Sequence, residues 1–374
     1  MNIMFVGALP SSLYNFRGEL IKSIHSSQSA VVTVASGASK YEIDIIESLP
    51  SSYIDIPINR NGLSPNDDIR TIISFISIYR KYKPDLVLTY TIKPIVWGGL
   101  AARVTNVPRF YAMITGLGYA FQKGGFAKNT LNSLVKFLYR VALKESKGVI
   151  FQNRDNMKVF INEGIVPQEK CFLVNGSGVD LSHYQISPLP TKPHFLLIAR
   201  LLGDKGIREY VKAAEIVKQQ YPEAVFELVG PEDPSPDGIK LDEVKRWVSS
   251  GAIEYSGATT DVRPFIDNCS VYVLPSYHEG MPRTVLEAMA MGRPILTSDV
   301  PGCRETVVNG ENGWLVEKAN VEQLAERMIW FIENQEQWSV MGEKSHTMAN
   351  EKFDVHKVNA EILKIMGLSD EKTV

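Results

Sequence analysis

Two glutamates, Glu279 and Glu287, lie eight residues apart in the stretch YHEGMPRTVLEAMAMG, with a Gly-Met-Pro step between them. Pro282 suits the first position of a helix, where its missing N–H would have no partner anyway. The amides at this helix N-terminus would form a favourable seat for a phosphate. Glu287 would lie roughly 7 Å further along the helix axis. That distance matches the step from a diphosphate to the ribose of a nucleotide, and it leaves Glu279 at the other end of the diphosphate.

A pair of cations, Arg200 and Lys205, lies on a second loop that follows a predicted strand. The strand HFLLIAR ends at Arg200, the loop continues as LLGDKG, and a helix is predicted directly after Lys205. Arg could bind a diphosphate through its fork of donors, and Lys could bind it as a point charge. Taken singly, solvated loop cations and an ordinary packing helix explain these residues as well. Their joint occurrence on strand-end loops of one domain favours a site for a nucleoside diphosphate.

The elements that must position these loops belong to two α/β domains. Short β-branched runs alternate with helix-period segments through most of the chain, which is typical of parallel sheets built from βαβ units. Periodicity is lost around residues 180–194, where three prolines occur, and this stretch is predicted to be a linker. We therefore predict two doubly wound Rossmann-like domains, 1–185 and 186–352, that face each other across a cleft. A C-terminal helix, about 353–374, could pack back on the first domain.

Composition and charge set limits on partners and location. The 374 residues, 44% of them hydrophobic, are enough for two packed cores. Residues 1–190 hold 20 Lys and Arg against 13 Asp and Glu, whereas residues 191–374 hold 20 against 29, so the first half would attract an anionic partner. Three scattered cysteines suit reduced thiols. Since we find neither a secretory signal nor an apolar run of membrane-spanning length, we expect a cytoplasmic protein.

The segments ARLLGDKG and SYHEGMPRTVLEAMAMGRPILTSDVPGCRETVVNGENGWLV resemble those of the family-4 retaining glycosyltransferases of the GT-B superfamily. The resemblance covers essentially the whole chain. The loops TYTIKP and TGLGYAFQKGG are similar to those of members that assemble bacterial polysaccharides such as O-antigen and capsule. The resemblance implies that Arg200 and Lys205 hold the donor diphosphate. It also implies that Glu287 takes the ribose hydroxyls and that Glu279 contacts the transferred sugar. Further implied donor contacts are Gly7, Gly280, Met281 and Pro282.

The resemblance also implies a reaction that needs no metal or other cofactor. No Asp-x-Asp motif occurs in the sequence, so the metal-binding pair of the other large glycosyltransferase fold is not indicated. Arg200 and Lys205 would neutralise the departing diphosphate and are expected to be catalytic together with Glu279. Retention in this family is explained by front-face attack, in which the leaving phosphate accepts the proton of the acceptor. The protein then contributes charge and positioning.

The loops of the first half are expected to meet the acceptor. The opening loop GALPSSLYNFRGELI would bring Gly7 close to the donor and would offer Asn15 and Arg17, although a helix cap and a surface cation are equally ordinary interpretations. Four further candidates lie on two later strand-end loops: Tyr90, Lys93, Thr115 and Tyr119. The tyrosines could equally be packing residues. Many relatives carry a histidine where this chain has Thr115, which puts a histidine-dependent role in doubt.

The segment AKNTLNSLVKFLYRVALKESK combines an apolar stripe with five cations: Lys128, Lys136, Arg140, Lys144 and Lys147. Such a basic amphipathic helix could lie on an anionic membrane, here the cytoplasmic face of a bacterial inner membrane. The core face of a βαβ helix requires the same stripe. The positive charge of the first half favours membrane contact, and it would also suit an acceptor carried on a polyprenyl diphosphate.

The sequence therefore predicts a retaining, metal-independent glycosyltransferase that moves a hexose or N-acetylhexosamine from a nucleoside diphosphate sugar, with UDP favoured. The expected acceptor is a polyprenyl-diphosphate-linked saccharide in bacterial surface polysaccharide synthesis, and no nucleic acid is expected as a partner. Two alternatives stay open, a nucleotide-sugar 2-epimerase and a non-catalytic sensor of sugar nucleotides. The epimerases usually need histidines in the cleft, and His25 is the only histidine before residue 183.

Overall fold

The computed structural model describes residues 1–27, 29–59, 62, 64–117, 121, 126–235 and 237–369, with no side chains given for 126–128. The chain divides into two compact units. The first unit is residues 1–177 together with the chain from His356 onward, and the second is Gly178–Val355. The first unit thus ends a few residues before the sequence-based boundary near 185.

The first unit is a parallel sheet covered by helices on both faces. Its described strands are β1 (Asn2–Val6), β2 (Ala30–Ala35), β3 (Ser52–Asp55), β4 (Leu86–Tyr90), β5 (Arg109–Ile114), β6 (Gly148–Phe151) and β7 (Cys171–Leu173). They pair in the order β3-β2-β1-β4-β5-β6-β7. Its helices are α1 (Pro10–Ser26), α2 (Lys40–Ser48), α3 (Pro65–Tyr82), α4 (Ile92–Val104), α5 (Phe126–Leu143) and α6 (Arg154–Asn162).

The side chains of β1 point alternately to the two faces of the sheet, and this explains why the first unit has two apolar cores. Ile3 and Phe5 lie in one apolar cluster with α1, whereas Met4 and Val6 lie in the other with α3, α4 and α5. Successive side chains of a strand point to opposite faces, so a strand covered on both sides is apolar throughout.

The second unit repeats this architecture with a different set of elements. Its described strands are β8 (His194–Ile198), β9 (Val225–Val229), β10 (Glu254–Tyr255), β11 (Val271–Leu274), β12 (Ile295–Ser298) and β13 (Gly313–Val316). They pair in the order β10-β9-β8-β11-β12-β13, and the pairs are parallel. Its helices are α7 (Ile207–Gln220), α8 (Leu241–Ser249), α9 (Arg263–Asn268), α10 (Arg283–Ala290), α11 (Val321–Glu333) and α12 (Gln337–Met348).

Both sheets have a topological switch point, where the strand order reverses and where such sheets bind ligands. It lies between β1 and β4 in the first unit and between β8 and β11 in the second. The predicted fold class, two doubly wound Rossmann-like α/β domains, is confirmed. The last helix, α13 (Val355–Ile365), supplies Val358 and Ile362 to the apolar cluster around α1. No helix within the described ranges is long and apolar enough to cross a membrane.

Three local predictions need correction. The strand that was expected to reach Arg200 ends at Ile198, so Arg200 lies on the following loop. Pro282 is the residue before α10 rather than its first residue. Residues 180–194 are not a free linker, because Val179 bridges Asp354 and this stretch packs within the second unit.

Candidate active site

The loop after β8 and the loop after β11 meet at the switch point of the second unit. Gly206, the residue directly before α7, has φ +72°, and a Cβ there would lie 2.0 Å from the carbonyl oxygen of Pro275. A glycine is therefore required at this close approach. The carbonyl of Asp204 accepts hydrogen bonds from the Tyr277 amide at 2.8 Å and from the Ser276 hydroxyl at 3.2 Å. The two loops are thereby joined through their backbones.

Lys205 and Glu279 form an ion pair across these two loops. Lys205 Nζ lies 2.5 Å from Glu279 Oε1, and the two side chains are 19% and 14% exposed. Burial alone would lower the pKa of Lys205, but the charge and hydrogen bond of Glu279 outweigh it and hold that pKa above its ordinary value. The Glu279 amide donates to the carbonyl of Pro301 at 3.0 Å. The structure thus brings these two sequence-predicted residues into direct contact.

Arg200 forms an ion pair with Asp233, which lies on the loop after β9. Asp233 is buried, whereas the side chain of Arg200 is 47% exposed. Burial would raise the pKa of Asp233, but hydrogen bonds from Ser235 and the charge of Arg200 keep it below its ordinary value. The carboxylate therefore anchors the guanidinium while one side of Arg200 stays open to solvent. Sequence reasoning missed Asp233.

Glu287 is buried on α10 and is held by two donors. The Tyr184 hydroxyl donates to Glu287 Oε1 at 2.9 Å, and Arg283 Nε donates to the same oxygen at 2.8 Å. Burial raises the pKa of Glu287 above its ordinary range, and both donors oppose that rise. Arg283 stands four residues before Glu287, a spacing that marks ion pairs on helices and that could have revealed this partner. No comparable sequence pattern marked Tyr184 as a partner of Glu287.

The backbone between the glutamates forms the start of α10. The amides of Val285 and Leu286 both donate to the carbonyl of Pro282, and Thr284 lies in the open first turn. Gly280 precedes this turn, and Met281 packs against the apolar cluster that contains α10. The arrangement is that of an uncapped helix N-terminus between Glu279 and Glu287, which favours an anion.

Two buried polar atoms lie beside the Lys205–Glu279 pair. Asp204 Oδ1 and His278 Nε2 are each buried without a hydrogen-bond partner among the described residues. Burial raises the pKa of Asp204 and lowers the pKa of His278, so burial favours the uncharged form of both side chains. A buried polar atom without a partner marks a place where a water molecule or ligand can bind.

The switch point of the first unit gathers a smaller polar group. A Cβ on Gly7 would lie 2.2 Å from the Tyr90 hydroxyl, so only glycine leaves room for this ring. The Tyr90 hydroxyl lies 2.8 Å from Ser12 Oγ, and the buried guanidinium of Arg17 lies 5.6 Å from the centre of its ring. Burial raises the pKa of Tyr90 to about 12. Gly7, Arg17 and Tyr90 are thus brought together, and Tyr90 is a packing residue with a polar tip.

The other acceptor candidates are more dispersed. Asn15 is exposed on α1, and Thr115 is half-buried after β5. Lys93 Nζ lies 2.7 Å from Asp68 Oδ1, so this cation is occupied by a carboxylate of α3. Tyr119 lies outside the described residues. Sequence reasoning missed Thr91, whose φ of +68° at the end of β4 is strained for a β-branched residue and is typical of functional loops.

Two family models match the chain. The model of glycosyl transferases group 1 matches residues 182–348, and the model of the glycosyl transferase 4-like family matches residues 3–153. The first match contains the loops of the second unit's switch point, and the second contains the Gly7–Tyr90 group.

Curated relatives extend over most of the chain. An N,N'-diacetylbacillosaminyl-diphospho-undecaprenol alpha-1,3-N-acetylgalactosaminyltransferase of Campylobacter jejuni is 28% identical over 349 residues, covering 90% of each chain. A UDP-Gal:alpha-D-GlcNAc-diphosphoundecaprenol alpha-1,3-galactosyltransferase of Escherichia coli is 24% identical over 321 residues, covering 78% of this chain and 80% of its own.

Solved structures share the fold at low sequence identity. A glycosyltransferase of Rickettsia africae has a TM-score of 0.79 at 19% identity and covers 98% of this chain and 97% of its own. The HepE protein of Anabaena, solved in complex with UDP-glucose, has a TM-score of 0.78 at 17% identity, with 98% and 99% coverage.

Proposed function

We propose that the chain is a glycosyltransferase of GT-B fold, since the glycosyl transferase 4-like model matches residues 3–153 and the group 1 model matches residues 182–348. From this premise we propose that it moves a hexose or N-acetylhexosamine from a nucleoside diphosphate sugar, UDP favoured, to a polyprenyl-diphosphate-linked saccharide in bacterial surface polysaccharide synthesis. The names of the Campylobacter jejuni and Escherichia coli relatives, which both specify undecaprenyl-linked acceptors, support the acceptor class. The UDP-galactose in the second name supports the donor class.

The observation that carries the donor assignment is the convergence of charge at the switch point of the second unit. Lys205 and Arg200 are each held by a carboxylate, and the N-terminus of α10 lies between Glu279 and Glu287. Cations that are fixed before the substrate binds need little reorganisation when negative charge develops on a leaving group. A nucleoside diphosphate satisfies all these groups at once, with its phosphates on the cations and its ribose on Glu287.

We propose a retaining reaction in which these cations, rather than a metal, balance the leaving group. The bond between the anomeric carbon and the diphosphate oxygen breaks, and the acceptor hydroxyl oxygen bonds to the same face of that carbon. The acceptor proton passes to the departing phosphate oxygen. Lys205 and Arg200 stabilise the negative charge of the diphosphate, and Glu279 holds the sugar next to Lys205.

The proposed function is tested first with a panel of UDP-, GDP- and ADP-sugars. A donor that binds the folded chain raises its melting temperature, so a thermal-shift screen finds the donor without knowledge of the acceptor. Transfer is then measured with a polyprenyl-diphosphate-linked monosaccharide. Epimerisation of the donor without acceptor would indicate a 2-epimerase instead, and binding without any turnover would indicate a sensor.

Changing Glu287 to glutamine is expected to raise the donor KM about tenfold while kcat stays within about threefold, since a hydrogen bond to a charged group contributes about 1.5–3 kcal/mol. A ribose contact is made equally in the ground state and the transition state, so its loss appears in KM. Steady-state kinetics with varied donor check this result. Glu333, which accepts a hydrogen bond from Tyr221 at the surface, offers a matched Glu333→Gln control. An unchanged KM for Glu287→Gln would contradict the ribose assignment.

We further propose that α5 contacts an anionic membrane surface. Leu134 and Phe137 of this helix are 52% and 56% exposed, whereas Val135 and Tyr139 fill the core. Lys136 pairs with Glu163 at 2.7 Å, and Arg140 donates to the carbonyl of Gly164. These two cations therefore make contacts within the first unit. Lys144 and Lys147 are exposed in the segment that follows the helix. The apolar pair beside this charge suits a bilayer interface.

Replacing both Leu134 and Phe137 by serine is expected to weaken sedimentation with vesicles about tenfold or more, because burial of one such side chain contributes about 1.5–3 kcal/mol. Vesicles with 30–50% phosphatidylglycerol are compared with pure phosphatidylcholine. The exposed apolar residues Ile216 and Val248 of the second unit provide the matched control, Ile216→Ser with Val248→Ser. Equal sedimentation of both variants would contradict membrane contact through α5.

A further inference from the structure

Tyr184 lies in the stretch that enters the second unit and reaches Glu287 across 103 positions of sequence. Tyr184 is 7% exposed and belongs to the apolar cluster that contains α10. Its hydroxyl meets the carboxylate that the proposed donor site assigns to the ribose. A residue that was expected to be part of a linker thus contacts the site directly.

The backbone around Tyr184 is held firmly. Asp180 Oδ1 accepts from the Ser182 amide at 2.9 Å and from the Ser182 hydroxyl at 2.6 Å, and the Tyr184 amide donates to the Asp180 carbonyl at 2.9 Å. Val179 exchanges backbone hydrogen bonds with the chain at 353–355. The ring of His183 packs edge-on against Tyr184 with 4.9 Å between ring centres. The tyrosine hydroxyl therefore has a fixed position relative to α10.

The two donors of Glu287 both act on Oε1. Arg283 Nε and the Tyr184 hydroxyl lie 2.8 and 2.9 Å from this atom, and none of the hydrogen bonds among the described residues ends on Oε2. A carboxylate with one oxygen held from two sides cannot rotate freely, so the second oxygen also has a defined position. Oε2 is then the acceptor that Glu287 can offer to a ligand.

We propose that Tyr184 is a positioning residue for the donor, which orients Glu287 so that Oε2 meets the ribose hydroxyls and favours a ribonucleotide over a 2′-deoxyribonucleotide. This inference rests on the proposed function, because it takes Glu287 as the ribose contact. Removal of the Tyr184 hydroxyl leaves Arg283 as the sole remaining donor to Oε1 among the described residues. The carboxylate can then turn towards the guanidinium, and the ribose loses an aligned acceptor.

The experiment is calorimetric titration of Tyr184→Phe, which deletes one oxygen atom. The wild-type chain is titrated with UDP, GDP and ADP, and the tightest ligand is carried forward with its 2′-deoxy analogue. Wild type is expected to prefer the ribonucleotide about tenfold, and Tyr184→Phe about threefold or less, with the affinity for the deoxy analogue within about twofold of wild type. The control is Tyr221→Phe, because Tyr221 donates to Glu333 at 2.7 Å on the same unit.

A double-mutant cycle with Glu287→Gln separates orientation from folding. Tyr184→Phe should remove no further preference once Glu287 is a glutamine, because the hydroxyl acts only through that carboxylate. An unchanged preference in Tyr184→Phe, or an equal loss of affinity for both nucleotides, would overturn the role of Tyr184. Failure of the wild-type chain to bind any of the three nucleotides would instead overturn the proposed donor, and the inference with it.

Discussion

Changing Lys205 to alanine is expected to lower kcat for sugar transfer by about two to three orders of magnitude, the effect of removing one preorganised charge from a leaving-group site. Lys205 is largely buried, and although burial alone would lower its pKa, the nearby Glu279 holds that pKa above its ordinary value, which favours the charged form. In a water-poor site its charge acts on the diphosphate with little screening. The measurement is single-turnover transfer at saturating donor. Lys212→Ala, a change at an exposed lysine of α7, is the matched control.

The same variant also removes the ion pair of Glu279, so a double-mutant cycle must separate the two effects. If Lys205 acted only by balancing Glu279, Lys205→Ala would lower kcat no further in a chain that already carries Glu279→Ala. If Lys205 acts on the leaving diphosphate, Lys205→Ala lowers kcat again in that background. A double variant whose kcat stays within about threefold of that of Glu279→Ala alone would rule out the proposed role.

The fold was predictable because each parallel strand is apolar on both faces and is followed by a helical pattern. β1, β4 and β8 are short runs of this kind, and the order of strand and helix dictates a doubly wound sheet. Sequence could not place residues 180–194 correctly. This stretch lacks periodicity because its packing comes from side-chain contacts and isolated bridges rather than from a helix or strand, and prolines are compatible with both a linker and such a segment.

The site was predictable to the extent that its residues lie on loops after strands. Lys205 and Glu279 were expected to share a site, and the structure brings them into contact. Asp233 and Tyr184 were not found from the sequence, because only folding brings them to their partners. Asp233 is 33 residues from Arg200 in sequence, and Tyr184 is 103 residues from Glu287. Asp233 balances the charge of Arg200, and Tyr184 holds the carboxylate of Glu287, before a donor arrives. The cations are therefore fixed by carboxylates rather than waiting in solvent, which the sequence pattern alone does not indicate.

The stretch that contains Tyr184, at the start of the second unit, is held in place by Arg293, a fully buried arginine between α10 and β12. Its Nη atoms donate to both Ser187 and Pro188 of that stretch, and its Nε donates to the carbonyl of Ile266 at 2.9 Å. The carbonyls of Met291 and Asp267 accept from the same guanidinium. Burial lowers the pKa of Arg293, but these acceptors keep its fork of donors satisfied.

Changing Arg293 to leucine is expected to lower the free energy of unfolding of the second unit by about 3–5 kcal/mol, because buried acceptors lose their donors together. The free energy of unfolding of Arg293→Lys should lie between those of the wild type and Arg293→Leu, since an ammonium group cannot reproduce the several directed donors of a guanidinium. Urea unfolding followed by tryptophan fluorescence measures this, because four of the five tryptophans lie in the second unit. Arg246→Leu, at an exposed position of α8, is the control. If both leucine variants unfold at the same urea concentration, Arg293 does not hold the stretch that contains Tyr184, and the fixed position of Tyr184 must come from Asp180 and the Val179 bridge alone.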